Sequence, residues 1–317
     1  MRTLKTGARL RDLVEAAAPR LAAAGIENAR GDAEWLLAGI LGLSRGALGL
    51  RLDEEPDASA TRSYESAVRR RAQREPLQRI LGWEEFRGLR LALTPMVLIP
   101  RPETEILVEL ALALLPAAAE GRPPLVVDVG TGSGCIACAI AAERPDVYVV
   151  ATDRSPESLR VARENGRRLG LAGRMREVTA DLLGAVGDAC ADLIVSNPPY
   201  LPSAWLPDLA PEVRDHEPLA ALDGGPDGLR VLDRLLVESP RVLRPGGALV
   251  VETAGDDQAT RIASLASTLG LVDVAIHQDL VGIQRFVTAR CSSAGFARAT
   301  FPGGGFGGGR RGPRRRV

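Results

Sequence analysis

Apolar residues are spaced differently in the two parts of the chain. Up to about Arg74 they recur with a helical period in Ala- and Leu-rich stretches. These stretches predict three helices, at residues 10–24, 33–41 and 61–74. Glycine and proline residues interrupt the pattern between the predicted helices. We therefore predict a small helical domain over residues 1–76.

A second pattern covers residues 78–93. Two glycines divide this segment into short β-like runs, and apolar residues alternate with less apolar ones from Leu89 to Leu93. The alternation predicts a β-hairpin, placed at 77–94, which links the helical domain to the rest of the chain.

From residue 125 to residue 290, strand-like apolar runs alternate with helical stretches. The clearest strands are predicted at 125–129, 147–151, 193–196 and 248–252. Helices are predicted at 133–143, 157–169, 228–243 and 258–269. This rhythm is typical of an α/β fold with a doubly wound parallel sheet, which we assign to residues 95–290. A ligand should then bind at the carboxyl ends of the strands.

Charge separates the last segment from the rest of the chain. The 40 basic and 40 acidic residues cancel, yet six arginines and no acidic residue follow Cys291. The body of the chain is therefore acidic, so we expect it to bind no nucleic acid. Residues 291–317 are rich in Gly and Arg, lack an apolar period and are predicted to be disordered. RNA contact and an artefact of the gene model both stay open for this tail.

The four cysteines are too few and too unevenly spaced for a disulfide framework. This favours a reducing compartment, so we expect a cytoplasmic protein. Charged residues interrupt the apolar residues of the first 21 positions, which excludes a signal-peptide core or a spanning segment there. We expect no membrane role.

A glycine-rich segment follows the first predicted strand. Asp128 and Val129 lead into Gly130, Thr131, Gly132, Ser133 and Gly134, and an Ala-rich helix begins there. Glycines let the backbone turn sharply and approach a ligand closely, while the helix N-terminus offers free N–H groups. A tight turn without a ligand is the alternative.

Two details narrow the choice of ligand. The spacing G-x-G-x-G differs from the dinucleotide fingerprint G-x-G-x-x-G, and Asp128 would repel a pyrophosphate but suit a cationic amino group. The next strand ends at Asp153, whose carboxylate can accept hydrogen bonds from ribose hydroxyls of either NAD or S-adenosylmethionine. Asp181 and Leu182, after a third strand and helix unit, are predicted to contact the adenine side, although Asp181 is equally well read as a loop acid.

Strand-like residues 193–196 run directly into Asn197, Pro198, Pro199 and Tyr200, here called the N-P-P-Y loop. The prolines fix φ and remove two N–H donors, which leaves stiff carbonyl acceptors. An NH₂ group conjugated to a carbonyl or a ring could donate to the Asn197 side-chain oxygen and to the Pro198 carbonyl. Tyr200 would supply a flat, electron-rich face. The loop predicts methyl transfer from S-adenosylmethionine to a planar amino nitrogen; an Asn-capped proline turn is the alternative.

Segments on both sides of this loop carry further motifs. They are R-E-P-L-Q-R-I-L-G at 74–82, L-I-P-R-P-E-T-E at 98–105, E-P at 217–218, L-D-G-G at 222–225 and D-L-V-G-I-Q-R at 279–285. Together with N-P-P-Y they resemble the protein-(glutamine-N5) methyltransferases that modify peptide chain release factors. The resemblance covers the chain from about Leu4 to Arg290.

This resemblance implies a Rossmann-like methyltransferase domain in which 130–134, Asp153 and Asn197 hold S-adenosylmethionine. It implies that Asn197 to Tyr200 receive the glutamine of the Gly-Gly-Gln motif of peptide chain release factors 1 and 2. The N-terminal helical domain would grip the protein around that motif. The segment 101–105 is open to two interpretations, an ordinary helix start or a place near the active site.

One departure from the family and two alternative functions remain. The segment 252–258, E-T-A-G-D-D-Q, is a loosened version of the family's Glu-x-Gly-x-x-Gln, which leaves that loop in doubt. Because N-P-P-Y also occurs in methyltransferases acting on adenine in DNA, methylation of nucleic acid is one alternative. A scaffold that binds a partner without turnover is the other.

Weaker signals predict neither a metal site nor a histidine-based nucleophile. Cys135 and Cys138 have C-x-x-C spacing, but no second cysteine pair exists to complete a zinc site, and we expect small buried residues there. His216 could border the substrate, and His277 is expected to be a strand residue. Two isolated histidines do not suggest a catalytic triad.

Overall fold

The computed structural model describes residues 8–118 and 122–293, so the predicted tail lies outside the described residues from position 294 onward. Between residues 8 and 82 lie five helices: α1 (Leu10–Ala23), α2 (Ala29–Leu41), α3 (Arg45–Leu50), α4 (Ala58–Ala72) and α5 (Leu77–Leu81). Helix α4 begins where Asp57 accepts a hydrogen bond from the Ala60 N–H, and α2 ends at left-handed Gly42. Apolar faces of α1, α2 and α4 form one core, in which the buried Tyr64 hydroxyl donates to the Ala33 carbonyl at 3.1 Å.

A hairpin of β1 (Trp83–Phe86) and β2 (Leu89–Ala92) follows these helices. The predicted hairpin is confirmed. The β-like pattern predicted for residues 78–93 is wrong at its start, because Leu77–Leu81 is helical. Pro76 starts this short helix and left-handed Gly82 ends it, so proline and glycine here bound a helical turn.

The rest of the chain alternates helices and strands. In chain order these are α6 (Glu103–Leu114), β3 (Leu125–Val129), α7 (Cys135–Glu143), β4 (Tyr148–Asp153), α8 (Pro156–Arg168), β5 (Met175–Thr179), β6 (Ala191–Ser196), β7 (Leu201–Pro202), α9 (Pro211–Arg214), β8 (Asp223–Gly225), α10 (Arg230–Val242), β9 (Leu243–Glu252), α11 (Asp256–Thr268), β10 (Val272–Gln278) and β11 (Gln284–Arg290). Short 3-10 helices cover Ser203–Asp208 and Leu219–Ala221.

Seven of these strands form one sheet, in the order β10-β11-β9-β6-β3-β4-β5. The predicted doubly wound α/β sheet is confirmed, with one correction: it is mixed, because β11 runs antiparallel to both of its neighbours. The turn between β10 and β11 is too short for the crossover that parallel strands require, so the two strands form a hairpin. Strand order reverses beside β3 and β6, which places their carboxyl ends at the crevice of the sheet.

Apolar side chains cover both faces of the sheet. One core packs α6 and α7 against it, and the other packs α10 and α11. The central strand β6 is buried at every position, as expected for a strand with helices on both faces. Within residues 8–118 and 122–293, no helix combines the length and the apolar character needed to cross a membrane.

Ion pairs join the N-terminal helices to the segment after the N-P-P-Y loop. Glu212, on α9, binds Arg71 at 3.0 Å and Arg74 at 2.7 Å. Glu217 binds Arg79 of α5 at 3.2 Å and Arg101 at 3.1 Å. The Glu217 and Arg79 side chains are 1% and 4% exposed, so this pair lies within the protein. These contacts fix the helical domain against the chain that carries the predicted acceptor site.

Candidate active site

The glycine loop connects β3 to α7 in a conformation that needs glycine. Gly130, Gly132 and Gly134 have φ values of 72°, 56° and 80°. A Cβ atom on Gly134 would lie 2.9 Å from the Ala162 Cβ atom, so α8 also approaches the loop too closely for a side chain. The predicted turn is therefore present, with α7 starting directly behind it.

Asp128 is fully buried at the end of β3. Its Oδ2 atom accepts hydrogen bonds from Thr131 Oγ1 at 2.6 Å and from the Ala137 N–H at 3.2 Å. Its Oδ1 atom is one of three buried side-chain polar atoms without a hydrogen-bond partner among the described residues. Burial raises the pKa of Asp128 to about 7, against the opposing effect of these hydrogen bonds. An unpaired acceptor oxygen therefore lies beside the loop.

The other predicted cofactor residues lie at the same edge of the sheet, since β5, β4, β3 and β6 are parallel neighbours. Asp153 ends β4 and accepts from the N–H groups of Gly132 at 3.0 Å and Ser155 at 2.8 Å, so it also shapes the loop. Asp181 follows β5, is exposed and binds Arg234 at 2.7 Å. Leu182 has φ of 50°, a left-handed conformation uncommon outside glycine.

Asn197 leaves the end of β6, where Ser196 donates to the Val129 carbonyl at 2.7 Å and ties β6 to β3. Asn197 Nδ2 donates to Thr104 Oγ1 at 3.0 Å, and Thr104 Oγ1 donates to Glu252 Oε2 at 2.9 Å. Tyr200 Oη donates to the other carboxylate oxygen, Glu252 Oε1, at 3.0 Å. One buried carboxyl group thus supports both ends of the N-P-P-Y loop.

Burial dominates the electrostatics of this network. It raises the pKa of Glu252 to about 7, although the hydrogen bonds from Thr104 and Tyr200 favour the carboxylate. Burial and the neighbouring Glu252 charge also raise the pKa of Tyr200, which keeps its phenol neutral. The tyrosine therefore offers an uncharged ring held by one fixed hydrogen bond.

Known proteins resemble this chain in both of its parts. The family model described as PrmC N-terminal domain matches residues 12–82, and the one described as Methyltransferase small domain matches residues 105–204. The release factor glutamine methyltransferase of Geobacter sulfurreducens is 45% identical over 270 residues, which cover 85% of this chain and 92% of that protein. The protein of the same description from Deinococcus radiodurans is 44% identical over 283 residues, covering 89% and 98%. The chain belongs to the release factor glutamine methyltransferase family.

Similarity to a solved structure supports the fold alone. The catalytic domain of hMettl16, in complex with MAT2A 3'UTR hairpin 6, superimposes with a TM-score of 0.51 at 15% sequence identity. The match covers 75% of this chain and 82% of that one. The Rossmann-like methyltransferase fold expected for a release factor glutamine methyltransferase is thereby confirmed.

S-adenosylmethionine is the methyl donor that membership of this family implies. Asp128 fits this group, since its unpaired, buried Oδ1 atom can accept a hydrogen bond from an ammonium and compensate its charge. The left-handed glycines leave the backbone beside it free of side chains. The individual cofactor residues named from the sequence remain predictions.

The departure from the family pattern at 252–258 does not remove Gln258 from the site. Gln258 Nε2 donates to the Tyr200 carbonyl at 2.9 Å and to the Asp227 carbonyl at 3.2 Å, and its Oε1 accepts from the Ala254 N–H at 2.9 Å. The loosened loop therefore still braces the N-P-P-Y loop.

Two site residues were not among those named from the sequence. Thr104 lies in a helix start that was open to two interpretations, and Glu252 was noted only as part of an altered loop. The structure places both next to the N-P-P-Y loop. Segment 101–105 is also the start of helix α6, so its two interpretations hold together. The residue types alone gave only a weak signal that these two side chains belong to the site. A threonine or a glutamate at the end of a helix or strand becomes buried only through contacts with residues that are distant in the sequence.

Of the weaker signals, Cys138 is buried within α7, and burial raises the pKa of the partly buried Cys135 to about 12. Both thiols therefore stay protonated. His277 lies in β10 and its Nε2 atom is 2.9 Å from Thr288 Oγ1 on β11, as expected for a strand residue. His216 is partly buried, in the segment between Glu212 and Glu217.

Proposed function

We propose that this chain transfers a methyl group from S-adenosylmethionine to the side-chain amide nitrogen, N5, of the glutamine in the Gly-Gly-Gln motif of peptide chain release factors 1 and 2. The observation that carries the proposal is the orientation of the Asn197 amide. Its Nδ2 atom is engaged by Thr104, so its Oδ1 atom is left to accept a hydrogen bond from a substrate. Family membership supports the same substrate.

An acceptor-only pocket suits a primary amide. A glutamine NH₂ group has two N–H donors and a lone pair delocalised into its carbonyl. Asn197 Oδ1 and the Pro198 carbonyl can each accept one N–H. These two hydrogen bonds fix the direction in which the substrate nitrogen faces the methyl donor. Positioning of this kind lowers the entropic part of the barrier without any chemical step by the protein.

No strong base is required before methyl transfer. Bound S-adenosylmethionine supplies an electrophilic methyl group on a sulfonium. As the amide nitrogen is alkylated its N–H becomes acidic, and the carbonyl of Pro198 and the oxygen of Asn197 stabilise the positive charge that develops. One N–H proton then leaves to water, which gives the neutral N-methyl amide. The neutral Tyr200 ring offers its electron-rich face to the same charge.

We further propose that the N-terminal helical domain recognises the release factor. Two glycines beside the acceptor glutamine provide no side chains, so specificity needs contacts outside the N-P-P-Y loop. The ion pairs of Glu212 and Glu217 support this role, because they hold α4 and α5 against the segment that follows the loop.

The four free cysteines support the reducing cytoplasm as the location of the protein.

Replacement of Asn197 tests the proposal. We expect Asn197→Ala to lower methyl transfer to an intact release factor about 100-fold, because the amide nitrogen loses one of its two positioning acceptors. The assay is mass spectrometry of the Gly-Gly-Gln peptide after incubation with S-adenosylmethionine. Asn28→Ala is the matched control, since the Asn28 side chain makes no capping hydrogen bond at the start of α2. Undiminished transfer by Asn197→Ala would show that the proposed acceptor site is wrong.

A further inference from the structure

We infer that Glu252 is a positioning residue that holds the Asn197 amide in its acceptor orientation, acting through the hydroxyl group of Thr104. The inference rests on the proposed function and adds the origin of its acceptor geometry. Glu252 would not contact the substrate. It would decide which end of the Asn197 amide the substrate meets.

The hydrogens available to these three side chains fix the direction of each hydrogen bond. A carboxylate carries no hydrogen, so the Thr104 and Tyr200 hydroxyls must both donate to Glu252, at 2.9 and 3.0 Å. Thr104 has then used its only hydrogen. The atom 3.0 Å away on Asn197 must be a donor, which makes it Nδ2. The Oδ1 atom is consequently turned toward the substrate.

Protonation of Glu252 reverses this polarity. A carboxylic acid can donate its hydrogen to Thr104 Oγ1, and Thr104 can then turn its own hydrogen toward Asn197. The amide meets that hydrogen with Oδ1 after a half-turn about χ2, a torsion with two nearly equivalent wells. Its NH₂ group would then face the NH₂ group of the substrate glutamine. Two donors cannot bond each other, so the substrate amide loses its position.

The surroundings of Glu252 place this change near neutral pH. Burial raises the pKa of the Glu252 carboxyl to about 7, and the nearby Glu103 charge acts in the same direction. The hydroxyl groups of Thr104 and Tyr200 and the positive charge of Arg285, on β11, act against it. Cys135, at the start of α7, carries a thiol whose pKa burial raises to about 12, so it stays neutral over this range.

The experiment measures kcat for methylation of intact release factor at saturating S-adenosylmethionine, from one unit below to one unit above pH 7. For the unmodified enzyme we expect kcat to fall on the acid side of about pH 7, with the slope of one proton. Glu252→Gln should lose this limb and should lie about tenfold below the unmodified enzyme at the upper pH, as for one lost hydrogen bond. Thr104→Ser, which keeps a hydroxyl group, should keep the acid limb and lose less of the rate than a variant without a hydroxyl group.

Thr104→Val completes the set, because it keeps the shape of the side chain and removes the relay. We expect a lower kcat and no acid limb, with S-adenosylmethionine affinity and thermal midpoint checked for each variant. If Glu252→Gln does not fold, the contrast between Thr104→Ser and Thr104→Val still decides. An acid limb retained in Thr104→Val or Glu252→Gln would overturn the inference. A flat profile in an active unmodified enzyme would do so too, whereas an unmodified enzyme inactive toward release factor at every pH would contradict the proposed function instead.

Discussion

Two buried carboxyl groups, Asp128 and Glu252, stand at the carboxyl edge of the sheet, and their partners give them different roles. Glu252 has both oxygens engaged by hydroxyl groups, whereas Asp128 keeps one oxygen without a partner among the described residues. Burial raises the pKa of each to about 7. A carboxyl whose pKa rises on folding binds its proton more tightly in the folded state. The free energy of unfolding should therefore decline as pH rises from the ordinary carboxyl range through about 7.

Asp128 gives a prediction about cofactor affinity. If its carboxylate binds the cofactor's ammonium, binding must expel the proton from Asp128 below about pH 7. The dissociation constant of S-adenosylmethionine should then rise by up to about tenfold per pH unit below that value. Asp128→Asn should bind more weakly above pH 7 and show no such slope in isothermal titration calorimetry. Asp188→Asn, which alters an exposed carboxyl, should keep the slope, and a pH-independent affinity in the unmodified protein would argue against this role.

Residues that lie together in one short motif could be proposed for the site from the sequence. Asn197, Pro198 and Tyr200 could be named because proline restricts the backbone locally and leaves acceptors whatever the fold around them. Thr104 and Glu252 could not be named. Thr104 meets Asn197 across 93 positions and Glu252 across 148, and no local pattern reports such contacts.

At the scale of elements, Gly228, just before α10, packs against the N-P-P-Y loop and leaves no room for a side chain. A Cβ atom on Gly228 would lie 2.2 Å from the Tyr200 carbonyl oxygen and 2.3 Å from Gln258 Nε2. Those two atoms are the partners of the 2.9 Å hydrogen bond that braces the loop. A side chain at this position must therefore displace the acceptor site.

A pair of glycine substitutions tests this packing. Gly228 and Gly170 have φ values of 78° and 73°, but a Cβ atom on Gly170 would meet nothing within 4 Å. We expect Gly170→Ala to lower the free energy of unfolding by about 1 kcal/mol, the cost of a left-handed alanine, and to leave kcat unchanged. Gly228→Ala should lose more stability and most of its activity. Denaturant unfolding and the methylation assay provide both quantities, and equal effects of the two substitutions would refute the packing argument.

The longer helices and strands named from the sequence could be predicted because their apolar periods are regular. Short elements such as α3 and α5, and the direction of β11, could not. Helix α5 has only the five residues Leu77–Leu81, too few for a period to distinguish it from a strand. The antiparallel direction of β11 depends on its insertion between β9 and β10, and pairing of this kind is decided by the assembled sheet.

Across the whole molecule, two glutamates connect the helical domain to the site. Glu217 is the more buried of them, and it holds the Arg79 and Arg101 guanidinium groups and the Ile99 N–H together. The motifs at 74–82, 98–105 and 217–218, distant in the sequence, meet at this one carboxylate. Three of the segments that carry the resemblance therefore meet in one ion-pair cluster.

Glu217→Gln should therefore destabilise the protein strongly. Removal of its charge leaves the nearly buried Arg79 without an anion, and we expect a loss of about 3 to 5 kcal/mol in the free energy of unfolding by urea. Glu34→Gln is the comparison, because Glu34 pairs with the exposed Arg30 and Arg45 and should cost under about 1 kcal/mol. Similar losses in the two variants would mean that the buried pair contributes no more than a surface one.

A competition assay offers both candidate acceptors to one enzyme. Purified protein, S-adenosylmethionine and equal amounts of intact release factor and adenine-containing duplex DNA are incubated together. Each is then analysed by mass spectrometry. We predict a mass gain of one methyl group, localised to the side chain of the glutamine in Gly-Gly-Gln, and unmodified DNA. Unmodified release factor together with methylated adenine would contradict glutamine methylation of release factors by this enzyme.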